Sequence, residues 1–304
     1  MHRHVFGDTA GKKHRLREAG LWQVDPPEYH DPPGGVLTYT PHYEAGVSLL
    51  TFEALGHPHP PRYGSSEAFP NTTAFPVEQH FRLVRHQLAQ LRSALAVAHV
   101  LNRSLVVPPL LCGIERSYAP HAGRTADSDL RLPYWCPLDH VLDLGALSHY
   151  MNINGLETRL KPSAFLSTAQ SPPSLLQDTV SLAVDESCTD SESSVAEGGG
   201  RTAGLRLGCN LTDVQIKAHL RPLRAARVLH LSSVRGLFAG FEEQKRQDAF
   251  YRLYERAGSF WCCAQPGATG EPGHVWYDLF WEDVGSVDRF GRVRTREWKG
   301  VRGP

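Results

Sequence analysis

The chain has 304 residues, 41% hydrophobic and 21% charged, and its 32 Lys and Arg balance 32 Asp and Glu to a net charge of zero. That is the composition of a globular protein with enough length for a substantial core, not of a disordered one. No overall field exists to capture nucleic acid or an anionic membrane surface. The 27 Gly and 22 Pro call for long irregular connections, but they lack the period of collagen.

Residues 1–75 form a Pro/Gly-rich N-terminal segment in which Asp25-Pro26-Pro27-Glu28-Tyr29 and Asp31-Pro32-Pro33-Gly34-Gly35 read as two rigid turns. Residues 76–166 open with an amphipathic helix over 76–101, where Phe81, Val84, Leu88, Leu91, Leu95 and Ala98 recur at spacings of three and four. Ser104-Leu105-Val106-Val107, stopped by Pro108-Pro109, reads as a buried parallel strand. Helix followed by strand predicts an α/β layer. A polar loop follows from Cys112 to Leu144.

Residues 167–204 turn to Ser, Asp, Glu and Gly, too polar to offset the entropy of ordering, and read as a flexible insertion. Order returns in 205–285, with a strand at Arg227-Val228-Leu229-His230-Leu231, a helix over 242–256, and the motif from Phe260-Trp261-Cys262-Cys263 to His274-Val275-Trp276-Tyr277-Asp278. Residues 286–304 are a basic tail. The fold class is therefore α/β, with long irregular loops and a disordered Ser/Glu/Gly-rich insertion.

No run of about 18 apolar residues occurs, since Ser93 to Ile114 is broken by His99, Asn102, Arg103 and two prolines. The start of the chain has no apolar signal core, so neither a signal peptide nor a membrane span is expected within it. Six cysteines and three glycosylation acceptor patterns, at Asn71, Asn102 and Asn210, nevertheless suit the secretory pathway. Cys112 and Cys136 bracket the polar loop and either close it as a disulfide or remain buried thiols.

Several motifs fail on chemistry. Gly7-Asp8-Thr9-Ala10-Gly11-Lys12-Lys13 is one residue short of a phosphate loop and has Lys13 where Ser or Thr should reach magnesium. Gly198 to Gly204 follows no strand, which excludes a dinucleotide fingerprint. There is no C-x-x-C, and His57 and His59 have no further ligand at metal spacing, so no metal site is expected. Asp127-Ser128-Asp129 has the D-x-D shape that holds a cation against a sugar diphosphate, but in a polar loop it reads as a solvated turn. Lys12-Lys13-His14-Arg15-Leu16-Arg17 gathers groups suited to a diphosphate, or simply a solvated helix face.

Gly11-Lys12-Lys13-His14-Arg15-Leu16-Arg17-Glu18, Asp25-Pro26-Pro27-Glu28-Tyr29, Pro33-Gly34-Gly35, His80-Phe81-Arg82-Leu83-Val84 and Leu101-Asn102-Arg103-Ser104-Leu105-Val106-Val107-Pro108 occur in this order. Cys136-Pro137-Leu138-Asp139-His140-Val141, Val228-Leu229-His230-Leu231 and Trp261-Cys262-Cys263 through Pro272-Gly273-His274-Val275 continue the series. Together they resemble the C-terminal half of plant and green-algal glycosyltransferase family 77 proteins of the extensin arabinosyltransferase type. The resemblance spans nearly everything outside residues 42–75 and the polar insertion. The segment around Leu101 to Pro108 is also similar to the first motif of O-fucosyltransferase-like folds, which implies Rossmann-like helix/strand layers.

The resemblance implies transfer of L-arabinofuranose from a UDP-sugar to hydroxyproline-linked glycans of cell-wall glycoproteins, in the Golgi lumen. It also implies a Mn2+ or other divalent cation whose ligands are not in this chain. In the family the D-x-D domain and the membrane anchor precede the segment where this chain begins, so the chain is expected to be the back part of a longer protein. Such a transfer needs cations on the departing diphosphate and a group to activate the acceptor hydroxyl. Arg15, Arg17 and Arg116 are expected in the first role, and Asp139 or His140 in the second, unless the latter two only cap the following helix. The alternative is a non-catalytic glycan- or peptide-binding or accessory domain, with Tyr29, Tyr118, Trp135 and Trp276 stacking on sugar rings.

Overall fold

The computed structural model describes residues 9–42, 77–112, 134–142, 144, 159–168, 170–185, 206–257, 259–263 and 274–278. Helix α1 (Thr9–Glu18) and the short α2 (Pro27–His30) precede strand β1 (Val36–Tyr39). The long helix α3 (Val77–Leu101) leads to β2 (Ser104–Val106), β3 (Leu110–Cys112), β4 (Tyr134–Cys136) and the single-turn α4 (Leu138–Val141). Strand β5 (Leu160–Lys161), helix α5 (Pro173–Gln177), β6 (Thr179–Val184), β7 (Arg206–Leu207) and β8 (Leu211–Thr212) follow. Helix α6 (Asp213–Leu220), β9 (Val228–Leu231), β10 (Phe238–Gly240), α7 (Gln244–Ala257), β11 (Ser259–Cys263) and β12 (His274–Asp278) complete the described chain.

Six strands form one sheet in the order β5-β2-β1-β9-β6-β7, and all five pairings are parallel. This establishes the α/β class. Strands β10 and β8 pair in parallel, while β11 with β12 and β3 with β4 form antiparallel pairs.

The amphipathic stripe of α3 does what its spacing predicts. Leu88, Leu91, Ala94, Leu95 and Ala98 are buried in one cluster with Leu37, Leu105, Leu229 and Leu231 of the sheet. A second, smaller core under the other face joins Tyr29, Val36, Val106, Phe165, Leu175 and Val228. Away from it that face is polar: Thr38, His230 and Ser181 lie side by side across β1, β9 and β6. Strand β6 accordingly alternates exposed and buried residues along its length.

Two sequence expectations need correction. The Pro/Gly-rich segment 1–75 contains β1, which lies inside the sheet between β2 and β9, together with the ten-residue helix α1. The segment 167–204, read as a flexible insertion, contains α5 and the six-residue strand β6, which pairs with β9 and β7. Its Thr and Ser stand on the exposed face and its Val180, Leu182 and Val184 on the buried one, so polar composition concealed an ordinary half-buried strand.

The amino edge of the sheet explains Pro33-Gly34-Gly35. Gly34 and Gly35 lie so close to other backbones that a Cβ on them would fall 2.2 Å from the Asn102 carbonyl oxygen and 2.4 Å from that of Arg227, respectively. Gly35 also has φ +71°, a conformation side chains resist. The Gly35→Ala variant is expected to lose about 2–4 kcal/mol of stability, from strain and backbone clash together. Gly20→Ala, at φ +69° with open space around it, should lose only about 1 kcal/mol. Urea denaturation midpoints of the two variants check the difference.

Candidate functional site

In an open parallel sheet the strand order reverses at one point, and ligands bind outside the carboxyl ends of the strands there. Here β2 and β5 are added on one side of β1, and β9, β6 and β7 lie on the other. The crevice therefore lies beyond Tyr39 and Leu231, which are register partners. From β1 the chain delivers Thr40 and His42, and from β9 it delivers Ser232, Ser233 and Arg235.

These groups are held firmly. Gln90 of α3 accepts from the His42 backbone N–H at 2.7 Å and donates to the His42 carbonyl at 2.6 Å. His86, one turn earlier, uses its Nε2 to donate to the same carbonyl at 2.8 Å. Arg235 Nη1 lies 3.3 Å from His42 Nε2. A guanidinium can only donate, so His42 accepts there, and its Nδ1 faces His86 Nε2 at 3.5 Å. Ser233, which is buried, accepts from the Arg235 backbone N–H at 3.1 Å, and Ser232 accepts from Val184 N–H at 2.9 Å. His230 sits between the hydroxyls of Thr38 (2.7 Å) and Thr40 (3.1 Å). Burial holds its pKa below the ordinary histidine value. The arrangement gathers a guanidinium, imidazoles and hydroxyls at this edge, a set that can take up a phosphate group.

The residues singled out from sequence fall elsewhere. Arg15 of α1 donates from Nε and Nη2 to the two carboxylate oxygens of Asp139, at 3.2 and 2.5 Å. The expected diphosphate ligand and the expected base are thus each other's partner. Burial pushes Asp139 above the usual carboxylate range even though Arg15 pulls the other way. Arg17 makes the same two-pronged contact to Asp25, which also accepts from Trp22 Nε1 at 3.1 Å. Burial works against the ionised Asp25, but the Arg17 hydrogen bonds and charge prevail and keep its pKa low. Glu18 accepts from the Leu138 backbone N–H at 3.1 Å. The basic N-terminal motif and the Pro137-Leu138-Asp139 turn, distant in sequence, therefore dock onto one another.

Arg116, Asn71, Tyr118, Asp127 and Asp129 lie outside the described residues, as do the side chains of His140, Trp276, Cys112 and Cys136. In the β3–β4 register Cys112 stands opposite Tyr134, and Cys136 opposite Leu110. Cys209 is disulfide-bonded. Asn102 and Asn210 are exposed at turns, both with φ 54°, and Thr212 of the second acceptor pattern is the N-cap of α6. Tyr29 is only 6% exposed and is enclosed between the Arg17 guanidinium and Lys161, while Trp135 is half-buried against the core. Among the described residues no three His, Cys, Asp or Glu side chains converge as metal ligands, and no helix is long and apolar enough to cross a membrane.

Sequence reading missed His42, His86, Gln90 and Arg235. The available signal was the polar run Ser232-Ser233-Val234-Arg235-Gly236 directly after an apolar strand; recognising the crevice also required β1. Removing Arg15 (Arg15→Ala) leaves Asp139 buried without its counter-ion and is expected to cost about 2–3 kcal/mol at pH 7. The loss should shrink toward pH 5, because the unpaired carboxyl then takes up a proton more readily in the folded state. Urea melts at the two pH values check both statements.

Over 284 residues, 91% of this chain, the sequence is 31% identical to the arabinosyltransferase XEG113 of Arabidopsis thaliana. The chain spans 39% of the length of that relative. No family model matches the chain, and no solved structure does.

Proposed function

The chain belongs to glycosyltransferase family 77, the family of that plant arabinosyltransferase, and on that premise we propose that it forms the α/β part of an enzyme transferring arabinose from a nucleotide sugar to a glycoprotein glycan. The observation that carries this reading is the Arg235, His42 and His86 cluster at the reversal point of a six-stranded parallel sheet. When the bond between the sugar C1 and the diphosphate oxygen breaks, negative charge grows on the departing diphosphate. Donors fixed in advance at that position lower the barrier. Arg235 is the guanidinium placed for it, with the imidazoles of His42 and His86 beside it.

UDP-L-arabinofuranose as donor, hydroxyproline-linked arabinan as acceptor, a divalent cation held by another part of a longer protein, a membrane anchor there and a Golgi location complete the proposal. They are supported by the motif series and by the named activity of the relative. The exposed Asn210 agrees with a lumenal setting. No step attributed to this chain runs through the cation.

Calorimetric titration of the chain with UDP tests the reading. Binding is expected, and Arg235→Ala should weaken it roughly tenfold or more, the worth of a charge-assisted hydrogen bond. Absence of UDP binding, or equal affinity in the variant, would overturn the assignment and favour an accessory domain that binds glycan or peptide.

A further inference from the structure

At the opposite, amino edge of the sheet lies a cavity of about 310 Å3 walled by Glu28, Tyr29, Asn102, Ser104, Arg159 and Lys161. Lys161 is 1% exposed. Its Nζ donates to the Tyr29 carbonyl at 2.8 Å and lies 3.3 Å from the centre of the Tyr29 ring. An ammonium carries three N–H donors, and among the described residues that carbonyl is the acceptor Lys161 has. Neither Lys161 nor Arg159 has an ion-pair partner among the described residues. A buried cation is ordinarily paired, so a cavity whose wall carries Lys161 and Arg159 against the single carboxylate of Glu28 is suited to an anion.

We propose that this cavity binds a phosphorylated small molecule of the size of a pentose phosphate, its phosphate taken by Lys161 and Arg159 and its hydroxyls by Glu28, Asn102 and Ser104. Two cations two residues apart suit a dianion, and the mixed polar wall suits a polyol. The site stands apart from the carboxyl-edge crevice and does not depend on what binds there.

Lys161 also supplies a signature. Burial, with the Arg17 charge adding to it and Asp25 opposing, lowers its pKa to about 7. Glu28, Tyr29 and His30 of α2 and the neighbouring Arg159 are the other titratable or charged groups around it. At pH 8 the amine is largely neutral in the empty cavity. A bound phosphate dianion favours the charged form, so binding should draw in a proton.

The experiment is calorimetry of the chain at pH 8 with ribose 5-phosphate, inorganic phosphate and ribose, repeated in buffers of different ionisation enthalpy. Ribose 5-phosphate is expected to bind with uptake of up to about one proton, inorganic phosphate to bind more weakly and compete, and ribose not to bind. Lys161→Met, which replaces a buried charge by an apolar group of similar length and should not unfold the protein, should weaken binding at least about tenfold and abolish the uptake. Arg159→Gln, at a half-buried position, should weaken binding while keeping the uptake. No binding of ribose 5-phosphate up to about 10 mM, binding no tighter than that of inorganic phosphate, or equal affinity in both variants would overturn the proposal.

Discussion

The sheet depends at its amino edge on one buried cation. Arg103, 4% exposed, directs its guanidinium at the carbonyl oxygens of Val36, Arg227, Leu223 and Arg224, at 3.3 to 3.5 Å. Through these it ties the beginnings of β1 and β9 to the end of the helical turn Arg221–Leu223. Burial lowers its pKa, yet a guanidinium remains charged, so its contacts do not lapse in the physiological range. The two glycines at positions 34 and 35 exist for the same reason: the backbones converge on this cation too closely for a Cβ. Arg227 reinforces the junction by reaching Asp31 and the carbonyls of Pro32 and Pro33.

The two ends of the strands consequently do different work. At the amino edge the charges of Arg103 and Arg227 hold segments together, and Arg15 and Arg17 of α1 are likewise engaged by Asp139 and Asp25. At the carboxyl edge Arg235, His42 and short hydroxyl side chains stand on loops that leave adjacent strands, with His86 of α3 against them. Positive residues in a run near the start of the chain looked suited to a diphosphate. In the structure Arg15 docks α1 against α4 and Arg17 closes over Tyr29.

The fold was legible where periodicity was strong. Helix α3 and strands β2 and β9 lie where the apolar pattern puts them, because each buries a continuous stripe or run. Strands β1 and β6 were hidden for different reasons. Val36-Leu37-Thr38-Tyr39 is four residues long and follows a string of prolines and glycines, so its local signal is that of a turn. In β6 every second residue is Thr, Ser or Ala, and the polar face exceeded what composition allows for a strand in a parallel sheet. The candidate crevice was illegible for a further reason: His42, His86, Gln90 and Arg235 meet only once β1 and β9 are neighbours, a relation with no trace in local sequence. The family, in contrast, was readable from the order of short motifs, several of which prove to be junctions between segments.

Helix α3 carries two glutamines three residues apart, and each behaves like one more peptide group. Gln90 grips both polar atoms of the His42 backbone, and Gln87 does the same for Leu111, at 2.8 and 2.9 Å. Leu111 belongs to β3, which touches α4, which in turn is clasped to α1 by Asp139 and Arg15. The helix is thereby a crossbar gripping two loops at once. A tilt of it would carry the imidazole of the crevice and the N-terminal helix in concert, a mechanical linkage between distant parts of the sequence.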